Sequence, residues 1–226
     1  MKNLNQKVKV TGEITAKFHD QKTLTEKQKI ENKNLVAKCD KMVEEYKFTK
    51  FDSYVNKFRK FFNRRLKKTK LEFMLAVRDY MFNNYHFGKL VNVDVHKNVI
   101  CNAGFNALTR LLTGDTTYTG EINKALFGTG TTGSASASDT TLETETYRND
   151  IASATASSNI AYLTAFLTEA EYPPSGSVTI TEFGNAIDGT GTVDTGQLWS
   201  YLKGLSWAKD TSTAIVVSCK YTFASV

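Results

Sequence analysis

Polar and apolar residues alternate cleanly over residues 7–18. Val8, Val10, Gly12, Ile14, Ala16 and Phe18 fall on one side, Lys7, Lys9, Thr11, Glu13, Thr15 and Lys17 on the other. A period of two with one polar face predicts a half-buried strand. His19, Asp20, Gln21 and Lys22 supply a turn, and a second, more polar strand is expected to run toward Leu35, making residues 1–34 a β-hairpin. From about residue 35 the period lengthens. Leu35, Val36, Met42 and Val43 suit a short helix, and Phe51, Val55, Phe58, Phe62, Leu66, Phe73, Val77, Tyr80 and Met81 continue in steps of three and four. That spacing predicts an amphipathic helix over about 51–83, with a break near Lys70.

Alternation returns at residues 90–99. Asn102 is then placed to cap a helix whose apolar face is Phe105, Leu108, Leu111 and Leu112, with Gly114 to end it. Further strands are predicted at residues 122–127, 159–168, 176–183, 197–203 and 213–223. In the last, Ile215, Val217, Cys219, Tyr221 and Phe223 alternate without a break. Short strands between Gly, Ser, Thr and Asp turns indicate an antiparallel sandwich or barrel. The expected fold class is α+β: a mainly antiparallel β-sandwich-like module over 88–226 with an inserted basic helical region over 35–87.

Charge divides the chain at the same place. Residues 1–100 hold 23 Lys and Arg against 11 Asp and Glu, whereas residues 101–226 hold 6 against 12. A basic helical arm beside an acidic β module separates attachment from display. No apolar run approaches the roughly 18 residues of a membrane span, and the amino terminus lacks the apolar centre of a secretory signal. No membrane span and assembly in a cytoplasm are therefore expected. Cys39, Cys101 and Cys219 are widely spaced and read as buried thiols.

Several elements from residue 88 onward resemble a module of tailed-bacteriophage virion proteins, the tail-fibre and minor structural proteins. The matching segments are KNVICNAGFNALTRLLTG, INKALFGTGTT, DTTLETETYR, VTITEFGNAIDG and TAIVVSCKYTF, and the opening VKVTGEITAKF resembles the first strand of such proteins. The resemblance implies a non-enzymatic virion protein of the tail, baseplate or fibre, assembled as a trimer or ring with other virion proteins. A capsid decoration, head-fibre or neck component is the alternative place on the particle.

Catalytic chemistry finds little footing in the sequence. His19, His86 and His96 lack a metal-site spacing, and Gly128–Gly133 lacks the Gly-Lys-Ser/Thr ending of a phosphate loop. Glu143, Glu145, Glu169, Glu171 and Glu182 are numerous, but no spacing sets a pair at the ~5 or ~7–9 Å of a glycosidase. Neither a cofactor nor a metal is expected. Arg148 and Glu182 each flank a strand-like segment, and a structural ion pair between them is the candidate that would fix register or join subunits.

The candidate interaction surface is the basic run Lys57, Arg59, Lys60, Arg64, Arg65, Lys67 and Lys68. Its phenylalanines lie opposite the main line of cations, which favours packing on protein. Nucleic-acid phosphates are a less favoured partner and an anionic membrane surface a third. Trp199, Tyr201 and Trp207 would serve a glycan-binding tip if exposed; Trp199, lying within a strand, is expected in the core.

Overall fold

The computed structural model describes residues 8–48 and 70–225. Among the described residues, nine antiparallel strands and three α-helices give an α+β, mainly β fold. The strands are β1 (Val8–Asp20), β2 (Lys89–Ile100), β3 (Ile122–Gly128), β4 (Glu145–Asp150), β5 (Ser153–Ser157), β6 (Ile160–Leu167), β7 (Ser177–Ile187), β8 (Gln197–Asp210) and β9 (Thr213–Ser225). The helices are α1 (Glu26–Phe48), α2 (Lys70–Asn84) and α3 (Asn102–Leu112).

The sheet runs in the order β4-β3-β7-β8-β2-β1-β9-β6-β5 and curls on itself. Two strands turn the corners. β2 pairs with β1 over Lys89–Asn98 but with β8 only through Val99 and Ile100. At the other end, Ile151 N–H donates to the Asn123 carbonyl at 3.0 Å and Ala152 N–H to the Thr164 carbonyl at 2.7 Å. The chain thus leaves β4 in one layer and enters β5 in the other. The first layer is β2-β1-β9-β6-β5 and the second β4-β3-β7-β8.

Inward residues of both layers make the main core. Ile14, Ala16 and Phe18 of β1 join Ile215, Val217, Cys219 and Tyr221 of β9 against Phe127, Ile180, Phe183, Trp199 and Trp207. Trp207 meets Phe18 edge-on at 6.0 Å and Phe183 at 5.7 Å, a geometry that aromatic quadrupoles favour. Outside the first layer α1 and α2 pack against each other, with Leu35, Cys39 and Met42 facing Phe73, Val77 and Met81 over Phe166 and Val216. Among the described residues no helix is long and apolar enough to cross a membrane.

The hairpin expected over residues 1–34 does not form. β1 pairs with β2 and β9 instead, and α1 starts at Glu26, well before residue 35. The cause is local. Thr25 and Gln28 make a capping box: Gln28 N–H donates to Thr25 Oγ1 at 3.3 Å, and Thr25 N–H to Gln28 Oε1 at 3.0 Å. The reciprocal bonds satisfy helix donors that a strand would leave to a partner. Lys29 adds an ion pair to Glu26 at 2.6 Å.

Asn102 does not cap α3 either. Cys101 N–H extends the β2–β8 ladder by donating to the Trp199 carbonyl at 2.9 Å, so the cap position falls on Cys101, without a side-chain bond. Strands β4 and β5, unmarked by apolar alternation, fall between the strands expected at residues 122–127 and 159–168, where none was predicted. β7 and β8 run longer than predicted, to Ile187 and Asp210. The expected basic helix falls on residues 51–69, outside the described residues; from Lys70 onward the predicted stripe is helical and buries Phe73, Val77 and Met81.

Candidate functional site

The outer face of the second layer carries both residues singled out by sequence as an ion pair. Arg148 stands on β4 and Glu182 on β7, with β3 between them. They do not pair with each other. Arg148 grips Glu145, three residues earlier, through two bonds of 2.6 and 2.7 Å, and its remaining donors reach the carbonyls of Thr190 and Thr195 at 3.1 Å. A fork with five donors suits this arrangement: one bidentate carboxylate and two loop carbonyls. Asp194 N–H also donates to Glu145 at 3.0 Å, so the pair holds the β7–β8 loop.

Glu182 is fully buried and faces a different loop. Its carboxylate accepts the N–H groups of Gly130, Glu143 at 2.9 Å and Thr144 at 3.0 Å, together with the Tyr201 hydroxyl. Backbone donors replace the cation expected from sequence. They can approach because Gly128 and Gly130 lack side chains: a Cβ on Gly130 would stand 2.4 Å from Glu182 Oε1. Burial pushes the Tyr201 phenol well above its usual range, with the Glu182 hydrogen bond acting in the same direction.

One turn further out, Glu143 meets Lys203 at 2.5 Å and accepts from Thr132, whose carbonyl takes a bond from Lys203. The hydrogen bond from Lys203 and those from Thr132 hold the Glu143 carboxyl down at about 2. Glu182 and Glu143 therefore staple residues 129–144 over Leu126, Leu142, Ala186 and Leu198.

A second ionic cluster lies where α2 meets the first layer. Arg78 bonds Glu171 at 2.7 Å and the Phe166 carbonyl at 2.9 Å, with its guanidinium 3.9 Å above the Phe166 ring. Tyr85 donates to Glu169 nearby. Asn32 of α1 exchanges two 2.9 Å bonds with the backbone of His86, tying both helices to the start of β2. The histidines stand apart: His19 near the Gly88 carbonyl at 3.3 Å, His86 on Glu31 at 3.1 Å and His96 on Asp94 at 2.6 Å. Among the described residues no group of three His, Cys, Asp or Glu is placed to hold a metal ion.

All three cysteines are free and buried, and burial pushes their thiols up, to about 11 for Cys39 and about 12 for Cys101 and Cys219. Trp199, Tyr201 and Trp207 are all buried, so the glycan-binding tip loses its aromatic platform. Lys57, Arg59, Lys60, Arg64, Arg65, Lys67 and Lys68 lie outside the described residues.

Sequence reading missed the side of the molecule where the two layers part. Beyond Val99 the edges of β2 and β8 diverge, and among the described residues no strand lies beside β2 over Lys89–Asn98 on the side away from β1. Here Val91, Val93 and Val95 are 57 %, 47 % and 56 % exposed. Asp94 and His96 take the core-side positions, opposite Ala16 and Ile14. Trp207 Nε1 donates to Asp94 Oδ2 at 2.8 Å, and burial of that carboxyl is outweighed by bonds from His96 and Trp207 that hold its pKa down. Apolar-out, polar-in is the reverse of a solvent-facing strand.

Comparison with known protein families, with curated proteins and with solved structures finds no match to this chain.

Proposed function

We propose that the chain is a non-enzymatic virion structural protein of a tailed phage, a tail, baseplate or fibre component that works by subunit assembly and attachment. The observation that carries this reading is the use made of buried charge. Arg148, Glu182, Arg78 and Glu171 each fasten a loop or helix of the same chain to the β module. Buried polar networks rigidify a fold through the bonds their members make, and of these four residues Arg78 alone keeps a buried atom, Nε, without a partner. Rigid loops on a two-layer β frame suit a part that is stacked and displayed.

The partition of charge supports the same reading, because a basic segment on one subunit complements an acidic module on the next and steers their contact. The segment resemblance from residue 88 onward adds the phage context. The expected partners are other virion proteins and further copies of the chain in a trimer or ring; the expected location is the virion, assembled in the host cytoplasm.

Immunogold electron microscopy of particles from the source culture, with antibody against the recombinant chain, tests the proposal. Label at a tail tip or baseplate is the expected result. Label over the head or neck moves the protein to a decoration, head-fibre or connector role, and absence from particles ends the virion reading. The second reading is nucleic-acid binding through Lys57, Arg59, Lys60, Arg64, Arg65, Lys67 and Lys68, favoured by their density among phenylalanines. A steep loss of DNA binding with salt would support it; no binding at low salt ends it.

A further inference from the structure

We propose that the free edge of β2 is a self-pairing surface, joining antiparallel to β2 of a second copy about a two-fold axis at Val93. An unpaired strand edge presents a row of backbone donors and acceptors that template another strand. Among the described residues β2 offers such an edge beside β1 from Asn92 to Asn98, and β8 reaches it only at Val99 and Ile100. The strand bulges at Val91, and Val93 N–H donates to Asn92 Oδ1 at 2.9 Å, a bond that pairing would exchange for one across the edge.

The side chains say which strand fits. In a two-fold antiparallel pair, opposed residues face the same side of the sheet, so each outward residue must meet another outward residue. Centred on Val93, the register sets Val93 against Val93 and brings Val91, at the bulge, beside Val95 on each side of the axis. Contacts between β-branched residues result, the kind that stabilises sheets best. On the core side Asn92 opposes Asp94, so the carboxylate meets an amide rather than another carboxylate.

Neighbouring registers are worse. Shifting the axis to Asp94 sets Asp94 against Asp94 and Val91 against Lys97. Shifting it to Asn92 sets Val95 against Lys89. At the end of the favoured register Lys97 stands beside Glu13 of β1, which offsets its charge. The exposed valines that are costly on a monomer become lateral contacts in the pair. A row of β-branched residues on an open edge, without proline and flanked by lysines, is self-complementary, and the axis at Val93 is the one that keeps Asp94 from facing its own copy.

The surface stands independently of the virion reading, and a two-fold contact of this kind also joins two rings back to back. The full chain should therefore run at twice its 25.2 kDa mass by size exclusion with light scattering. Val93→Lys should halve that mass with an unchanged circular dichroism spectrum, and mixing Val93→Lys with Val93→Glu should restore the pair.

Val93→Cys should oxidise to a cross-linked dimer on a non-reducing gel, since Cys39, Cys101 and Cys219 are buried. Val91→Cys and Val95→Cys should cross-link with each other, not with themselves. A wild-type monomer at about 100 µM, far above the Kd of a stable contact, overturns the proposal. So does a wild-type assembly whose mass Val93→Lys leaves unchanged. An edge filled only by an added extended peptide overturns it too, assigning the surface to a different protein. If these variants behave as expected while particles carry no label, the pairing survives and the virion reading fails.

Discussion

Arg78 and Glu171, 93 residues apart in the chain, meet at 2.7 Å where α2 rests on the first layer. Glu171 also accepts from Asn149 at 3.0 Å and from Thr168 N–H at 2.7 Å, so one carboxylate joins α2, β4 and the chain after β6. Burial pushes its pKa up, but Arg78 and these hydrogen bonds outweigh burial and leave it below the usual range. A carboxyl lowered in the folded state contributes stability above its unfolded pKa and loses it as pH falls through the folded one. Arg78→Met strands Glu171 in an apolar seam and should cost about 3–5 kcal/mol in urea unfolding. Replacing both, as Arg78→Met with Glu171→Leu, should recover much of that loss. A single-variant cost under about 1 kcal/mol, in the range of surface pairs, would show that the pair does not anchor the helices.

The Glu182 staple makes a local prediction. Glu182→Ala removes the common acceptor of Gly130, Glu143 and Thr144 N–H groups, so hydrogen exchange at those three amides should rise while the β7–β8 ladder stays protected. Losing a charged acceptor shared by buried donors should cost on the order of 2–4 kcal/mol. Uniform acceleration across β7 and β8 would instead mark Glu182 as part of the global core.

How much of this was legible in sequence depends on where each element's information lies. β9 was readable because it is apolar on alternate residues from Ile215 to Phe223, and one face meets the core. β4 and β5 were not, since Thr146, Arg148, Asn149 and Ser153 are held as strands by β3 and β6 rather than by their own pattern. The start of α1 was written in Thr25 and Gln28, a local signal overridden by the expectation of a hairpin. Alternation located β2 but could not show that its valines face solvent, because a period of two is blind to which side is in. The Arg148 partner was undetermined for a related reason: five carboxylates were available, and only the fold brings Glu145 onto the same face.

Lys209 gives a pH signature. Its ammonium is almost entirely buried on β8 and donates to the Asp210 carbonyl at 2.7 Å. Burial lowers its pKa from 10.5 to about 8, against the opposing pull of Asp210, Glu169 and Glu171. As pH falls from 10.5 the unfolded chain takes up the proton first, so folding loses stability down to about pH 8 and stays lower below it. The full effect is about 3 kcal/mol. Lys209→Met should be more stable than wild type near pH 7, and its advantage should shrink as pH approaches 10.5. An advantage independent of pH over that range would mean that burial does not lower the Lys209 pKa in the folded protein.

Gly104 tests how tightly α3 is seated. Alanine favours a helix interior over glycine by about 1 kcal/mol, so Gly104→Ala would stabilise α3 if propensity alone decided. Gly104 is buried against β8, however, and an added Cβ would stand 2.6 Å from Trp199 Cε3 and 2.9 Å from Trp199 Cα. One neighbour is backbone and the other a ring locked between Phe105 at 5.9 Å and Tyr221 at 5.6 Å, so neither can swing aside. Relief requires α3 to lift from the sheet, which loosens Ala107 from the main core. Overpacking of this kind costs about 1–3 kcal/mol, enough to reverse the propensity gain. Gly104→Ala should therefore lower the melting temperature and change Trp199 fluorescence, whereas Asn106→Ala, on the exposed side of the same helix, should stabilise. A melting temperature raised by both variants would mean that α3 adjusts freely and that the glycine is not required by the packing.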